Sequence, residues 1–339
     1  MRASKKLGAG FLCGIFTCAH IAATCGLLGA PEALKHDVYQ GGWETQPDLR
    51  LMDENLVWSV PEWDGIGEGG TRLLYKDWEH VHGTSYVPRN QGSAPSCVGQ
   101  ATAAAVDFLS AVEIRAGDPE RAPPAQAAAC AIYGLSRIEI GGLSIKAGGG
   151  SHNLWAAQAL QEYGAIARLN YPLLGHDLRV PSPSRAVEFG AKGLPVGLEM
   201  IARIHPVKEY IAIDSYEECR DAIYMGCPVT VGSSVGFGDG KRTRDEDGFL
   251  NRPRRLFFES RWNHSMVIIG VADTGRRGCL ILNSWGSNWV NGPQRFGDEP
   301  LGCFWVDWEI IDQMVKQGDS FALRGFQGYP SYQLWKPRR

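Results

Sequence analysis

Apolar residues recur at helical spacing in the first half of the chain. From Val98 to Ala116, the stretch VGQATAAAVDFLSAVEIRA places apolar side chains every three or four positions among strong helix formers. Its many alanines predict a helix that packs closely on more than one side, as at the centre of a domain. Similar patterns predict further helices over 124–137 and 153–163, and one between the first two strands of the second half, over 216–226.

Short apolar runs bounded by turn residues dominate the second half. Such runs predict β-strands, and they fall at 209–214, 228–235, 255–260, 264–272, 278–285 and 303–309. The stretch 173–195 shows neither pattern and is predicted to be a loop. Helices followed by antiparallel strands predict an α+β fold, with a helical half to about residue 190 and a β half over 191–325.

The N-terminal segment differs from the body. Arg2, Lys5 and Lys6 precede an apolar run over 7–30, which is the pattern of a secretory signal peptide. The run is also long enough to stay as a membrane anchor. We therefore expect residues 1–30 to make the protein secreted or periplasmic, or to tether it to a membrane. The alternative is an apolar N-terminus of a cytoplasmic protein.

Between this segment and the body, residues 31–85 are polar and rich in turns. We expect them to form an extended leader that packs on a main domain over 86–325, with a C-terminal tail over 326–339. The leader contains four tryptophans, for which packing roles are expected: Trp43, Trp58, Trp63 and Trp78.

Composition narrows the classes of function. A chain of 339 residues, 44% hydrophobic and 21% charged, fits one large globular domain or two lobes around a cleft. A net charge of −3 gives no electrostatic reason to expect nucleic-acid binding. No CxxC pair occurs among the nine cysteines, so we expect no structural zinc site. We also expect no other metal and no cofactor. A bridge between Cys219 and Cys227 stays open, and we expect a monomer.

Cys97 stands where the long predicted helix begins, after Pro95 and the favourable N-cap residue Ser96. The positive end of a helix dipole favours a thiolate over a thiol. A reactive cysteine also needs a partner histidine held by a third polar group. The position of Cys97 therefore makes it a candidate nucleophile.

The β half offers both partners. His264 begins one apolar strand and Asn283 follows another, so pairing of the two strands as a hairpin would bring Asn283 beside His264. Trp285 would then cover the bond between these two side chains. The amide of Gln91, six residues before Cys97, could join the Cys97 backbone N–H as an oxyanion donor.

These residues resemble the papain-like cysteine peptidases, in a divergent form of bacterial type. The resemblance is carried by Gln91-Gly-Ser-x-x-Ser-Cys97, Asn-His264-Ser and Asn283-Ser-Trp-Gly-x-x-Trp, and it covers roughly residues 78–308. It implies a two-lobe fold in which a helical lobe is followed by an antiparallel, β-barrel-like lobe, with the active-site cleft between them.

The resemblance also implies roles. Cys97 would be the nucleophile of a covalent thioester mechanism on a peptide or protein substrate, and His264 the general base and acid. Asn283 would orient His264, and Gln91 would stabilise the oxyanion. The resting pair would be thiolate and imidazolium. The cleft would bind substrate through five further residues: Gly149, Gly150, Trp262, Asn263 and Trp285.

The sequence departs from the family pattern at several points. Val98 replaces a tryptophan, Ala94 replaces a bridging cysteine, and the spacing from Cys97 to His264 implies an insertion within 173–260. The family's helical propeptide is not recognisable. Two alternatives therefore stay open: a catalytically weak or inactive papain-fold protein that binds peptides, and a Cys–His amidase acting on cell-wall or isopeptide bonds.

Overall fold

Among the described residues, the long central helix lies in the first half of the chain, and most strands lie in the second half together with four further helices. The computed structural model describes residues 42–43, 50–51, 53–117, 126–142, 149–237, 242–250 and 263–329. The predicted N-terminal segment 1–30, the strand predicted over 255–260 and Trp262 lie outside these ranges.

The long central helix is confirmed. The described helices are α1 Tyr75–His82, α2 Cys97–Arg115, α3 Ala129–Gly134, α4 Asn153–Glu162, α5 Pro183–Lys192, α6 Val196–Ala202, α7 Tyr216–Tyr224 and α8 Trp308–Val315. Helices α2, α4 and α7 match predictions to within two residues. The helix predicted over 124–137 starts only at Ala129 and continues as a π-helical segment, Leu135–Ile140.

The loop prediction for 173–195 is wrong, because α5 lies inside it. This helix begins at Pro183 behind Ser182, whose side-chain oxygen accepts the Arg185 backbone N–H at 3.2 Å. Proline at the first helical position and serine at the N-cap are favourable start signals. The buried residues of α5 also lie at helical spacing, so this helix could have been predicted from the sequence: Ala186, Phe189 and Gly190.

One large antiparallel sheet forms the β half. Its strands are β1 Thr71–Leu73, β4 Val207–Ala212, β5 Val229–Ser233, β6 His264–Ala272, β7 Gly278–Leu282, β8 Cys303–Asp307 and β9 Ser320–Phe326. A separate small hairpin contains β2 Asn170–Tyr171 and β3 His176–Asp177. The order is β4-β9-β5-β6-β7-β8, with β1 on β6. Strand β9 was not predicted. The expected barrel-like closure is also wrong for the described residues, since β4 and β8 do not pair.

Helix α2 lies at the centre of the core. Every residue from Cys97 to Ala111 is buried, and the helix packs against α1, α3, β6 and β9. A β-carbon at Gly99 would lie 2.6 Å from the Ala129 carbonyl oxygen, so α3 crosses α2 at van der Waals distance there. Among the described residues, α2 alone is long and apolar enough to span a membrane, and its burial is that of a core helix.

The described part of residues 31–85 packs along the body. Strand β1 pairs with β6, and Val57 forms a bridge to Ile211 on β4. Of the four tryptophans, Trp43, Trp63 and Trp78 are buried, whereas Trp58 is 45% exposed. Val57 and β1 thus contact the same sheet that carries His264.

Candidate active site

Cys97 is the first residue of α2 and its side chain is fully buried. Ser96 occupies the N-cap position but makes no side-chain capping bond. Burial raises the pKa of the Cys97 thiol to about 12, against a smaller lowering by backbone N–H groups of Ser265, Val98, Cys97 itself and Gly42. In this form the helix terminus therefore does not produce a thiolate at neutral pH.

The predicted hairpin brings His264 and Asn283 together. Strands β6 and β7 pair antiparallel, and Asn283 follows directly on β7. His264 Nε2 lies 2.8 Å from Asn283 Oδ1, and this amide oxygen also accepts the Ser284 backbone N–H at 2.6 Å. The Trp285 ring lies over the imidazole at a centroid distance of 4.5 Å. The bond between the two side chains is therefore shielded from water.

The other imidazole nitrogen is the one that can serve a reaction. His264 Nδ1 is buried and has no hydrogen-bond partner among the described residues. The neighbouring residue, Ser265, places its backbone against the Cys97 thiol, so His264 and Cys97 belong to one site. Burial lowers the pKa of His264 to about 4, although the bond to Asn283 opposes this. The expected thiolate–imidazolium pair is wrong for this form, in which both groups are neutral at pH 7.

Gln91 links the two halves of the site. Its backbone N–H donates to the Ser284 carbonyl at 2.9 Å, and its Oε1 accepts the Ser284 hydroxyl at 2.7 Å. Its Nε2 donates to the Ala94 carbonyl at 3.0 Å, which leaves the second amide hydrogen for another acceptor. The loop that ends at Cys97 is thereby attached to the segment that follows Asn283.

A segment of the chain itself covers the thiol. A β-carbon at Gly42 would lie 2.6 Å from Cys97 Sγ and 2.8 Å from the Pro95 carbonyl oxygen, so only glycine permits this approach. The Asn263 carbonyl accepts the N–H groups of Gly42 and Trp43 at 3.2 and 3.3 Å, and Ser151 N–H donates to the Gly42 carbonyl at 3.0 Å. Residues 42–43 therefore bridge the helical and β halves across Cys97.

The predicted substrate-binding residues differ in their contacts with the site. The carbonyls of Gly149 and Gly150 accept hydrogen bonds from Tyr133 and Arg137, and it is the next residue, Ser151, that pairs with an extended segment. Asn263 offers its carbonyl to the same segment. Trp285 lies over His264, and Trp262 lies outside the described residues.

Sequence reasoning missed the pocket beside the thiol. The Trp43 indole fills it, against Gly232 of β5 and Asp319, which directly precedes β9. Trp43 was expected to pack on the body, but no sequence pattern connected it with Cys97. Asp319 could not be placed because the strand after it was not predicted.

Comparison with solved structures identifies the architecture. Xylellain, a cysteine protease from Xylella fastidiosa, matches with a TM-score of 0.58 at 19% identity, over 84% of this chain and 96% of that one. The chain has the papain-like fold. A second papain-like structure, digestive procathepsin L3 of the Tenebrio molitor larval midgut, matches with a TM-score of 0.50 at 15% identity, over 87% of this chain and 80% of that one.

At these identities the likeness establishes the papain-like fold alone. No protein-family profile and no curated protein sequence matches the chain. The α+β, papain-like class expected from the motifs is confirmed, and the chemistry has to be argued from the side chains of the site.

Proposed function

We propose that this protein is a cysteine peptidase that hydrolyses peptide bonds through Cys97, His264 and Asn283. The observation that carries the proposal is the 2.8 Å contact between His264 Nε2 and Asn283 Oδ1, beneath Trp285. That contact fixes the ring so that the unpartnered Nδ1 is the nitrogen left for proton transfer. A histidine needed only for packing would not require such an arrangement beside a helix-terminal cysteine.

The proposed reaction is acyl transfer in two steps. His264 Nδ1 takes the thiol proton as Cys97 Sγ attacks the peptide carbonyl, and then gives it to the leaving amine, which leaves a thioester. In the second step His264 takes a proton from water, whose oxygen attacks the thioester, and returns it to the departing Cys97 sulfur. The Cys97 backbone N–H and the second Gln91 amide hydrogen would stabilise the oxyanion.

Access to the thiol is the condition for this chemistry. Cys97 has no exposed surface while Gly42 and Trp43 are in place, so this segment has to leave before a peptide can bind. Departure admits water, which removes much of the burial penalty that keeps the thiol and the imidazole neutral. An exported or membrane-tethered location, based on residues 1–30, is part of the same proposal.

The test is labelling with a peptidyl epoxide, followed by mass spectrometry, combined with hydrolysis of a denatured-protein substrate. Four proteins are compared: wild type, Trp43→Ala, which is designed to open the site, Cys97→Ala, and the double variant Trp43→Ala with Cys97→Ala. A Cys130→Ala variant is the matched control, because Cys130 is a partly exposed cysteine outside the site. We expect one adduct on Cys97, and hydrolysis reduced at least about 1000-fold by Cys97→Ala but unchanged by Cys130→Ala.

Three results would contradict the proposal. Hydrolysis that survives Cys97→Ala would assign the activity to another residue. Absence of both labelling and hydrolysis in the opened Trp43→Ala protein would favour a peptide-binding protein without catalysis. Activity on peptidoglycan but not on denatured protein would support the amidase alternative.

A further inference from the structure

The inference starts from how the main chain of residues 42–43 is held. Asn263, which supplies the acceptor carbonyl, directly precedes β6 in the β half, and Ser151, which supplies the donor N–H, precedes α4 in the helical half. All these hydrogen bonds are between backbone groups, so they do not depend on which side chains the segment carries. Any extended peptide that crosses Cys97 can use them.

The side chain of Trp43 shows what the adjoining pocket accepts. The indole is 1% exposed, and its Nε1–H donates to Asp319 Oδ2 at 2.6 Å. A β-carbon at Gly232 would lie 2.2 Å from Nε1 and 2.6 Å from Cε2 of this ring. Glycine at 232 therefore leaves the space that a large planar ring needs, and Asp319 supplies an acceptor for its polar edge.

Asp319 is held in position by groups other than Trp43. Its Oδ2 accepts the Asn153 backbone N–H at 2.8 Å, and its Oδ1 accepts that of Leu154 at 2.9 Å. Asn153 Nδ2 also donates to the Asp319 carbonyl at 2.9 Å. These donors belong to the first turn of α4, so the carboxylate stays in place when the indole leaves. Burial raises the pKa of Asp319, which reflects how poorly water reaches this acceptor.

We propose that this pocket, defined by Gly232, Asp319 and the start of α4, is the specificity pocket of the enzyme, and that it selects a tryptophan side chain of the substrate through Asp319. In the covered form, in which residues 42–43 lie over Cys97, the side chain of Trp43 fills this pocket. Because Gly42 is the residue at the thiol, the selected side chain is one residue away from the one that supplies the scissile carbonyl. The inference rests on the proposed peptidase function.

The physical reason for selection is the acceptor at the closed end of the pocket. A leucine or phenylalanine side chain would leave Asp319 Oδ2 bonded to the Asn153 N–H alone. A buried carboxylate that loses one of its two donors on this oxygen, with no water to replace it, is destabilised. A site built around such a bond discriminates strongly against an analogue that lacks the donor. We expect a preference of about 10- to 100-fold in kcat/KM for tryptophan.

The test changes one atom of the substrate. Matched peptides carry tryptophan or 3-benzothienylalanine, in which sulfur replaces the indole N–H and the shape is nearly kept. Full-length wild type and Trp43→Ala are assayed, each with and without Asp319→Asn. In the two proteins that keep Asp319, wild type and Trp43→Ala, we expect kcat/KM to be at least about 10-fold higher for the tryptophan peptide than for its analogue. In the two proteins that carry Asp319→Asn, we expect this ratio to fall to near one.

A binding measurement separates this inference from the proposed function. The protein carrying Cys97→Ala and Trp43→Ala cannot cut, and calorimetry with the same two peptides reports the pocket alone. Equal affinities would overturn the pocket inference even if Cys97-dependent cleavage is found. A strong tryptophan preference in binding, with no Cys97-dependent cleavage in any variant, would overturn the peptidase proposal and keep the pocket.

Discussion

At the scale of single residues, burial decides the charge states of the candidate site. A helix N-terminus stabilises a thiolate by about 1 kcal/mol, which is small beside the cost of an ion with no water around it. The sequence shows that Cys97 begins a helix, so it predicts an ion pair. It does not show that Gly42 seals the thiol, and this contact reverses the prediction for the covered form.

The pH dependence of stability tests the state of His264. Its pKa is about 4 in the folded chain against an ordinary value of 6.5. Between these values the unfolded chain binds a proton that the folded chain does not, so the free energy of unfolding rises with pH. The gap is worth about 3 kcal/mol. We expect wild type to lose about that much more stability than His264→Gln between pH 7 and pH 4.

Urea unfolding at several pH values measures this difference. Because both proteins contain the same carboxylates, subtracting the two curves isolates His264. Parallel curves for wild type and His264→Gln would show that the imidazole is already solvated in the folded protein, and that the covered form is not the one populated.

At the scale of elements, the predictable parts are those with strong periodicity. Helix α2 and strand β6 were predicted because their apolar residues recur over 19 and 9 residues, and β7 because its five residues form a continuous run of small and apolar side chains. The strand predicted over 303–309 ends early, since α8 begins at Trp308. Strand β9 contains an arginine and a glycine within seven residues, and it is recognisable only through its partners β4 and β5.

The loop before Cys97 is fixed to α2 by a buried ion pair. Asp107 on α2 accepts hydrogen bonds from the Tyr86 hydroxyl at 2.8 Å, from Arg89, and from the Ala127 backbone at 2.7 Å. Arg89 and Asp107 are both buried. This cluster sets where the segment containing Gln91 leaves the helical half, which no local sequence pattern indicates.

Removing one member of this pair tests its contribution. Asp107→Asn leaves the Arg89 charge buried without its counter-ion, so we expect a loss of about 3–5 kcal/mol in the free energy of unfolding. A double variant, Arg89→Met with Asp107→Leu, removes both charges and is expected to lose less than Asp107→Asn alone. Urea denaturation measures both. A double variant less stable than Asp107→Asn would show that the contribution comes from packing and hydrogen bonds and not from charge.

At the scale of the whole molecule, side-chain hydrogen bonds are among the contacts that join the two halves near Cys97. Gln91 binds Ser284, and the Ser265 hydroxyl donates to Asn153 Oδ1 at 2.6 Å. Cys97, His264 and Asn283 were predictable because each lies at the end of a regular element. The covering segment was not, since residues 42–43 meet the site only through contacts with residues more than fifty positions away.

Whether this cover opens is measurable from the reactivity of Cys97. Trp43→Ala removes a buried ring, and such truncations cost about 3–5 kcal/mol. We therefore expect the form in which residues 42–43 cover Cys97 to lose most of its stability relative to the open form. Labelling of Cys97 by iodoacetamide at pH 8 should then accelerate at least about 100-fold. The matched control is Trp63→Ala, which truncates another buried tryptophan of the N-terminal part that packs near Arg324.

The protein contains its own reference for global unfolding, because Cys279 and Cys303 are fully buried in β7 and β8. Opening of the cover alone should accelerate labelling of Cys97 in Trp43→Ala while these two thiols stay protected. Equal acceleration at all three cysteines would mean that the substitution unfolds the domain, and equal Cys97 rates in Trp43→Ala and wild type would mean that residues 42–43 do not control access. A selective change at Cys97 would instead make the 42–43 segment the element that sets when the thiol can react.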